Sequence, residues 1–172
     1  MTTLNARRCL LFVALIGITA IAGFSGVANA QVKTRLSIAT GGTGGVYYPL
    51  GGGLAALISK HIPGVEATAE VTTASVDNMK LLHGNRVALA FTLPDSASEA
   101  YQGKLKGLNE KVAVRSIATI YANYMHIVAL DGIGIKTVPD LKGKRVSTGA
   151  PGSGTEIKGL RFSRPMASAR RI

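Results

Sequence analysis

The sequence predicts an α/β domain built from βαβ units around a parallel sheet, and three observations predict it. Short aliphatic or β-branched runs recur between stretches whose apolar residues fall at helical spacing. The run at residues 87–91 is apolar throughout, as in strands of parallel sheets covered on both faces. Twice, finally, a strand delivers the chain through glycines directly onto a helix start.

Taken in order, residues 33–40 alternate and read as a strand, and the glycine-dense loop after them leads into a helix over 49–61 with Leu50, Leu54, Leu57 and Ile58 on one face. Pro63-Gly64 ends that helix. Residues 66–72 form the second strand, after which Ser75 offers an N-cap to a helix carrying Val76, Met79 and Leu82 and stopped by Gly84. Residues 87–91 are the third strand, and 97–106 a polar helix or loop. Two more apolar runs, 116–121 and 126–130, precede a turn-rich stretch. Residues 145–148 then form a short strand, 149–152 a loop, and Ser153-Gly154-Thr155-Glu156 a capping-box pattern that opens a last helix.

The two ends read differently from this domain. Arg7 and Arg8 precede an apolar run over residues 9–24, and Ala28-Asn29-Ala30 follows as a small-x-small cleavage pattern. That is an export signal, residues 1–30, cut after Ala30 and directing the chain to the periplasm; the apolar run is shorter than the roughly 20 residues of a membrane span. The single cysteine, Cys9, lies inside the signal, so no disulfide framework is expected in the mature chain. At the other end, "RFSRPMASARRI" (161–172) has four arginines, no acid and no periodicity, and reads as an aberrant, disordered tail. The whole chain holds 20 basic and 9 acidic residues; without Arg7, Arg8 and the tail arginines the balance is 14 − 9 = +5. The remaining lysines and arginines are spread along polar connections and not interleaved with aromatics, which argues against a nucleic-acid partner.

Glycines beside a helix N-terminus let a ligand approach unpaired N–H groups that carry partial positive charge, so both glycine loops point to an anion, most simply a carboxylate. The enzyme patterns fail on spacing. Gly42-Thr43-Gly44 lacks the third glycine of a dinucleotide fingerprint, since Tyr47 stands there, and neither loop ends in the Lys-Ser/Thr of a P-loop. Pro151 occupies the first glycine position of a nucleophile elbow around Ser153. His61, His83 and His126 show no ligand-like spacing. No catalysis, metal or cofactor is expected.

"ATGGTGGVYYPLGGGLAALI", "GVEATAEVTTASVDNMKLL" and "GIKTVPDLKGKRVSTGAPGSGTE" resemble the TAXI-type solute receptors of tripartite ATP-independent periplasmic (TRAP) transporters, over residues 34–160. The resemblance implies a type II periplasmic-binding-protein-like fold, with lobe one over 31–130 and the start of lobe two over 131–160. It implies capture of a small carboxylated solute, glutamate, glutamine or a dicarboxylate, for delivery to the membrane subunits of the transporter. Carried over by position, Gly42, Thr43, Gly44, Tyr47 and Tyr48 line the cleft from the first loop, and Thr73, Ala74, Ser75 and Asn78 from the second. Pro151, Gly152, Ser153, Gly154 and Thr155 face them from lobe two.

The stretch "VALAFTLPD" carries Phe91, Thr92, Leu93 and Pro94 where members usually have polar Gln-Ser-Asp-like residues. The chain also stops where a two-lobe receptor of about 300 residues is half written, so it is expected to be a truncated, frameshifted copy. The alternative expectation is a short secreted α/β module that binds an anionic ligand without a transport role.

Overall fold

A computed structural model describes residues 34–163 and 170–171. The export signal and most of the arginine-rich end lie outside the described residues.

The elements are strand β1 (Thr34–Ala39), helix α1 (Tyr47–His61), β2 (Val65–Glu70), α2 (Ser75–His83), β3 (Leu89–Ala90), α3 (Pro94–Gln102), a 3-10 turn (Val138–Leu141), β4 (Arg145–Val146), α4 (Gly154–Ser163) and β5 (Arg170–Arg171). The expected α/β class is thus observed. β1, β2 and β3 form one parallel sheet in the order β2-β1-β3, with Thr34 level with Val65 and Ile38 with Leu89. β4 and β5 pair in parallel as a separate two-residue ladder. The last helix runs through Leu160 to Ser163.

β1 is the central strand, and its Ile38 and Ala39 are fully buried. β3 shows how the sheet is covered. Successive side chains of a strand point to opposite faces: Leu89 and Phe91 pack with Ile38, Ala55 and Ala67 beneath α1, while Ala90 packs with Val76, Met79 and Ala100 beneath α2 and α3. Helices therefore cover both faces around β1 and β3, as the apolar pattern of 87–91 predicts. The edge strand β2 departs from it: Glu66, Thr68 and Glu70 are exposed while Ala67 is buried, so one of its faces meets water.

Two sequence expectations are corrected. α1 does not bury the face of Leu50 and Leu57, which are both exposed; Gly51 and Ala55 are its buried residues, with Leu54 and Ile58 half-buried. A Cβ on Gly51 would meet Thr40 Cγ2, so glycine allows the helix to sit this close to the end of β1. Ser75 is the first residue of α2 and not its cap: the cap is Ala74, with no side-chain hydrogen bond. The apolar runs at 116–121 and 126–130 form neither helix nor strand, and leave Ile117 81% and Val128 89% exposed.

The carboxyl ends of the three strands are tied together by one side chain. Asn78, fully buried, donates from Nδ2 to the carbonyls of Thr40 and Phe91, both at 2.7 Å, and its Oδ1 accepts from the Thr72 hydroxyl at 2.6 Å. The Thr40 hydroxyl donates to the Glu70 carbonyl at 2.6 Å. Every polar atom in this knot has a partner, which burial demands, and the knot fixes the loops that follow β1, β2 and β3.

Candidate functional site

The sheet order places a topological switch point between β1 and β3, since the chain leaves β1 toward β2 on one side and returns to β3 on the other. In open parallel sheets the crevice at the carboxyl ends of such strands is where ligands bind. A cleft of about 190 Å³ lies there, smaller than the several hundred Å³ of a drug-sized pocket and suited to a small solute. It is lined by Gly41, Gly42, Gly45, Val46 and Tyr47 after β1, Ala74 and Ser75 after β2, and Leu93 after β3; Tyr121, Asn123, Ser153, Gly154 and Thr155 complete it.

The lining contains the cap or first residue of each of the helices α1 to α4. Each helix N-terminus presents unpaired N–H groups and about half a positive charge. Four such ends meet around one cleft whose wall carries no lysine or arginine among the described residues.

The ends are not equivalent. α1 has Val46 as its cap with no side-chain hydrogen bond, and no acid in its first turn. In the loop before it Gly45 N–H is turned inward, to the Gly42 carbonyl at 2.9 Å, alone among the loop's N–H groups so far as the described residues go. α4 is capped by Ser153, whose Oγ accepts from Glu156 N–H at 3.0 Å. The Glu156 carboxylate takes the Gly152 N–H at 2.9 Å, so the box predicted from the sequence closes one residue before its usual partner. α2 receives the α4 loop directly, as the Gly152 carbonyl accepts from Val76 N–H at 3.1 Å. Ser75 Oγ accepts from Leu93 N–H at 3.1 Å and so joins the β2 and β3 loops across the cleft floor.

Tyr47 stands at the centre of the wall. Its ring lies 5.5 Å from that of Phe91 and 6.5 Å, edge-on, from that of Tyr121. Burial raises the pKa of its hydroxyl, and the neighbouring Tyr121 and Asp95 raise it further; hydrogen bonds with Ser75 and Asn123 work the other way without reversing the shift. Burial also raises the pKa of Tyr121. Ala74 beside them has φ 78° and ψ −149°, a conformation that only glycine adopts without strain.

Of the residues singled out in the sequence, Gly42, Tyr47, Ala74, Ser75, Ser153, Gly154 and Thr155 come together in the cleft wall. Thr43, Gly44, Tyr48 and Pro151 do not line it. Thr73 and Gly152 lie behind it, the Thr73 hydroxyl bonding Asp77 and Gly152 packing against both. Asn78 is the knot under the floor, its amide wholly engaged inside the protein. Tyr121 and Asn123 belong to no motif; their one signal in the sequence is an aromatic-amide cluster, Tyr121-Ala122-Asn123-Tyr124, at the end of an apolar run. Among the described residues no group of histidine, cysteine and carboxylate side chains could hold a metal ion.

Parallel sheet, switch-point crevice and converging helix ends together define a ligand-binding α/β protein. Residues 38–169 match the NMT1-like family, and the chain belongs to it. This is a periplasmic binding family related to solute-binding proteins, whose members are binding proteins rather than enzymes. Among the described residues no helix is long and apolar enough to cross a membrane.

Proposed function

We propose that the chain is the extracytoplasmic receptor of a TRAP transporter, of the TAXI type, and that it captures a small carboxylated solute for the transporter's membrane subunits. The observation that carries this is the uncapped N-terminus of α1, opening beside Gly41, Gly42 and Gly45 into a cleft at the carboxyl ends of β1 and β3. A carboxylate there accepts from backbone N–H groups at a positive helix end and loses its water without needing a cation.

In this reading residues 31–130 are lobe one and 131–160 open lobe two, which contributes Ser153, Gly154 and Thr155 to the cleft. Gly42, Tyr47, Ala74 and Ser75 hold the solute from the other side. Thr43, Gly44, Tyr48, Thr73, Asn78, Pro151 and Gly152 set the shape of the loops.

The test is calorimetric titration with small carboxylates, each paired with its neutral amide. Carboxylates are expected to bind and their amides not to; equal binding of both would overturn the reading. Delivery to membrane subunits is tested by solute uptake into vesicles containing them, with and without the purified chain.

A further inference from the structure

We propose that the cleft selects a solute with a single carboxylate on an apolar or aromatic body, and discriminates against dicarboxylates. This rests on the carboxylate reading above and narrows what the site accepts.

The distribution of charge carries the first half. Among the four helix ends at the cleft, α2 has Asp77 in its first turn, α3 has Asp95 and α4 has Glu156, whereas α1 has no acid. A first-turn carboxylate offsets the partial positive charge of its helix end, so three of the four ends are already answered from within the chain. Glu156 holds the Gly152 N–H, Asp77 holds the Thr73 hydroxyl, and Asp95 holds the Ser96 N–H at 3.1 Å. Arg161 approaches Asp95 at 3.7 Å and also pairs with Glu99, so it too is engaged, and it is not in the cleft wall. One carboxylate finds the open end of α1. A second would have to give up water among neutral groups, with Asp95 close enough to act on Tyr47, and a desolvated charge without a partner is strongly disfavoured.

The composition of the wall carries the second half. Val46, Leu93 and the rings of Tyr47 and Tyr121 form its apolar part, the two rings meeting edge-on at 65°. Ser75, Ser153, Thr155 and Asn123 supply neutral hydrogen-bonding groups and no formal charge. The rings offer an apolar body the edge and face contacts that aromatic groups favour.

The experiment titrates the full chain with phenylacetate, phenylacetamide, glutarate and acetate, and repeats phenylacetate and acetate with Tyr121→Ala, whose fold is checked by circular dichroism. Phenylacetate is expected to bind at least about tenfold more tightly than glutarate, phenylacetamide not at all, and Tyr121→Ala to weaken phenylacetate by a larger factor than acetate. Glutarate binding as tightly as phenylacetate would leave the carboxylate reading standing and overturn the selectivity. Phenylacetamide binding as tightly as phenylacetate, or no binding of any probe, would overturn both.

Discussion

The Gly152 carbonyl accepts a hydrogen bond from Val76 N–H at 3.1 Å, which seats the loop before α4 on the first turn of α2. Gly152 itself has φ 82°, and a Cβ there would lie 3.0 Å from Asp77 Oδ1 and 3.2 Å from Thr73 Oγ1. Gly152→Ala is therefore expected to cost about 1–3 kcal/mol, from the left-handed backbone and the crowding together. Urea denaturation followed by circular dichroism checks it; an unchanged midpoint would contradict this account of the junction.

Two glycines of α1 are expected to respond in opposite senses. A Cβ at Gly51 would collide with Thr40 Cγ2, whereas one at Gly53 meets nothing within 4 Å. Gly53→Ala should stabilise the protein by about 0.5–1 kcal/mol through helix propensity. Gly51→Ala should lower stability by about 1–3 kcal/mol through overpacking, with thermal melts as the measurement.

Replacing Asn78 by leucine strips the Thr40 and Phe91 carbonyls of their partner in a buried place. The expected loss is about 2–5 kcal/mol, from two unsatisfied acceptors. Faster amide hydrogen exchange at Phe91 and Leu93 would show that the strand ends have come apart.

Glu156→Gln removes a charge from the mouth of α4 while keeping an acceptor for Gly152 N–H. Stability should fall by about 0.3–1 kcal/mol as the favourable helix-end interaction disappears. Carboxylate affinity should rise by about two- to fivefold, because the cleft potential becomes more positive. Parallel calorimetry and melting of the variant separate the two effects.

The raised pKa of Tyr47 has a definite sign in the pH dependence of stability. Its neutral form is favoured in the folded protein, so the folded state holds the proton beyond the ordinary value of 10.0. The stabilisation is fully present below pH 10 and is lost as pH rises through the folded value. Tyr47→Phe should flatten stability measured between pH 9 and 11, and ultraviolet titration should show one late-ionising tyrosine fewer.

Much of the architecture is legible in the sequence because its signals are local. The glycines after β1, the Pro63-Gly64 stop, the apolar run of 87–91 and the Ser153-to-Glu156 pattern each dictate structure within a few residues of themselves. The contact face of α1 is not legible that way. The helix lies so close to the strand ends that small residues, Gly51 and Ala55, face inward and leave Leu50 and Leu57 outside, the reverse of what apolar periodicity expects.

At the site, the backbone-rich loops can be read from glycine and hydroxyl spacing, but the wall cannot. Tyr121 and Asn123 reach the cleft from a stretch without regular structure, so no periodicity marks them. Asn78, one helical turn from Ser75, looks like a cleft residue and is a structural knot because its amide points down into the strand ends.

The open stretch at 116–130 has its own consequence. Its fifteen residues contain no lysine, arginine, aspartate or glutamate, and Ile117, Val128 and Leu130 are mostly exposed. Among the described residues no hydrogen bond between backbone groups engages it. Such a segment, rich in β-branched residues and free of charge, nucleates pairing between molecules. Solubility is therefore expected to answer to this segment and folding stability to the knot at the strand ends, so the concentration the protein tolerates and the temperature it tolerates should respond to different substitutions.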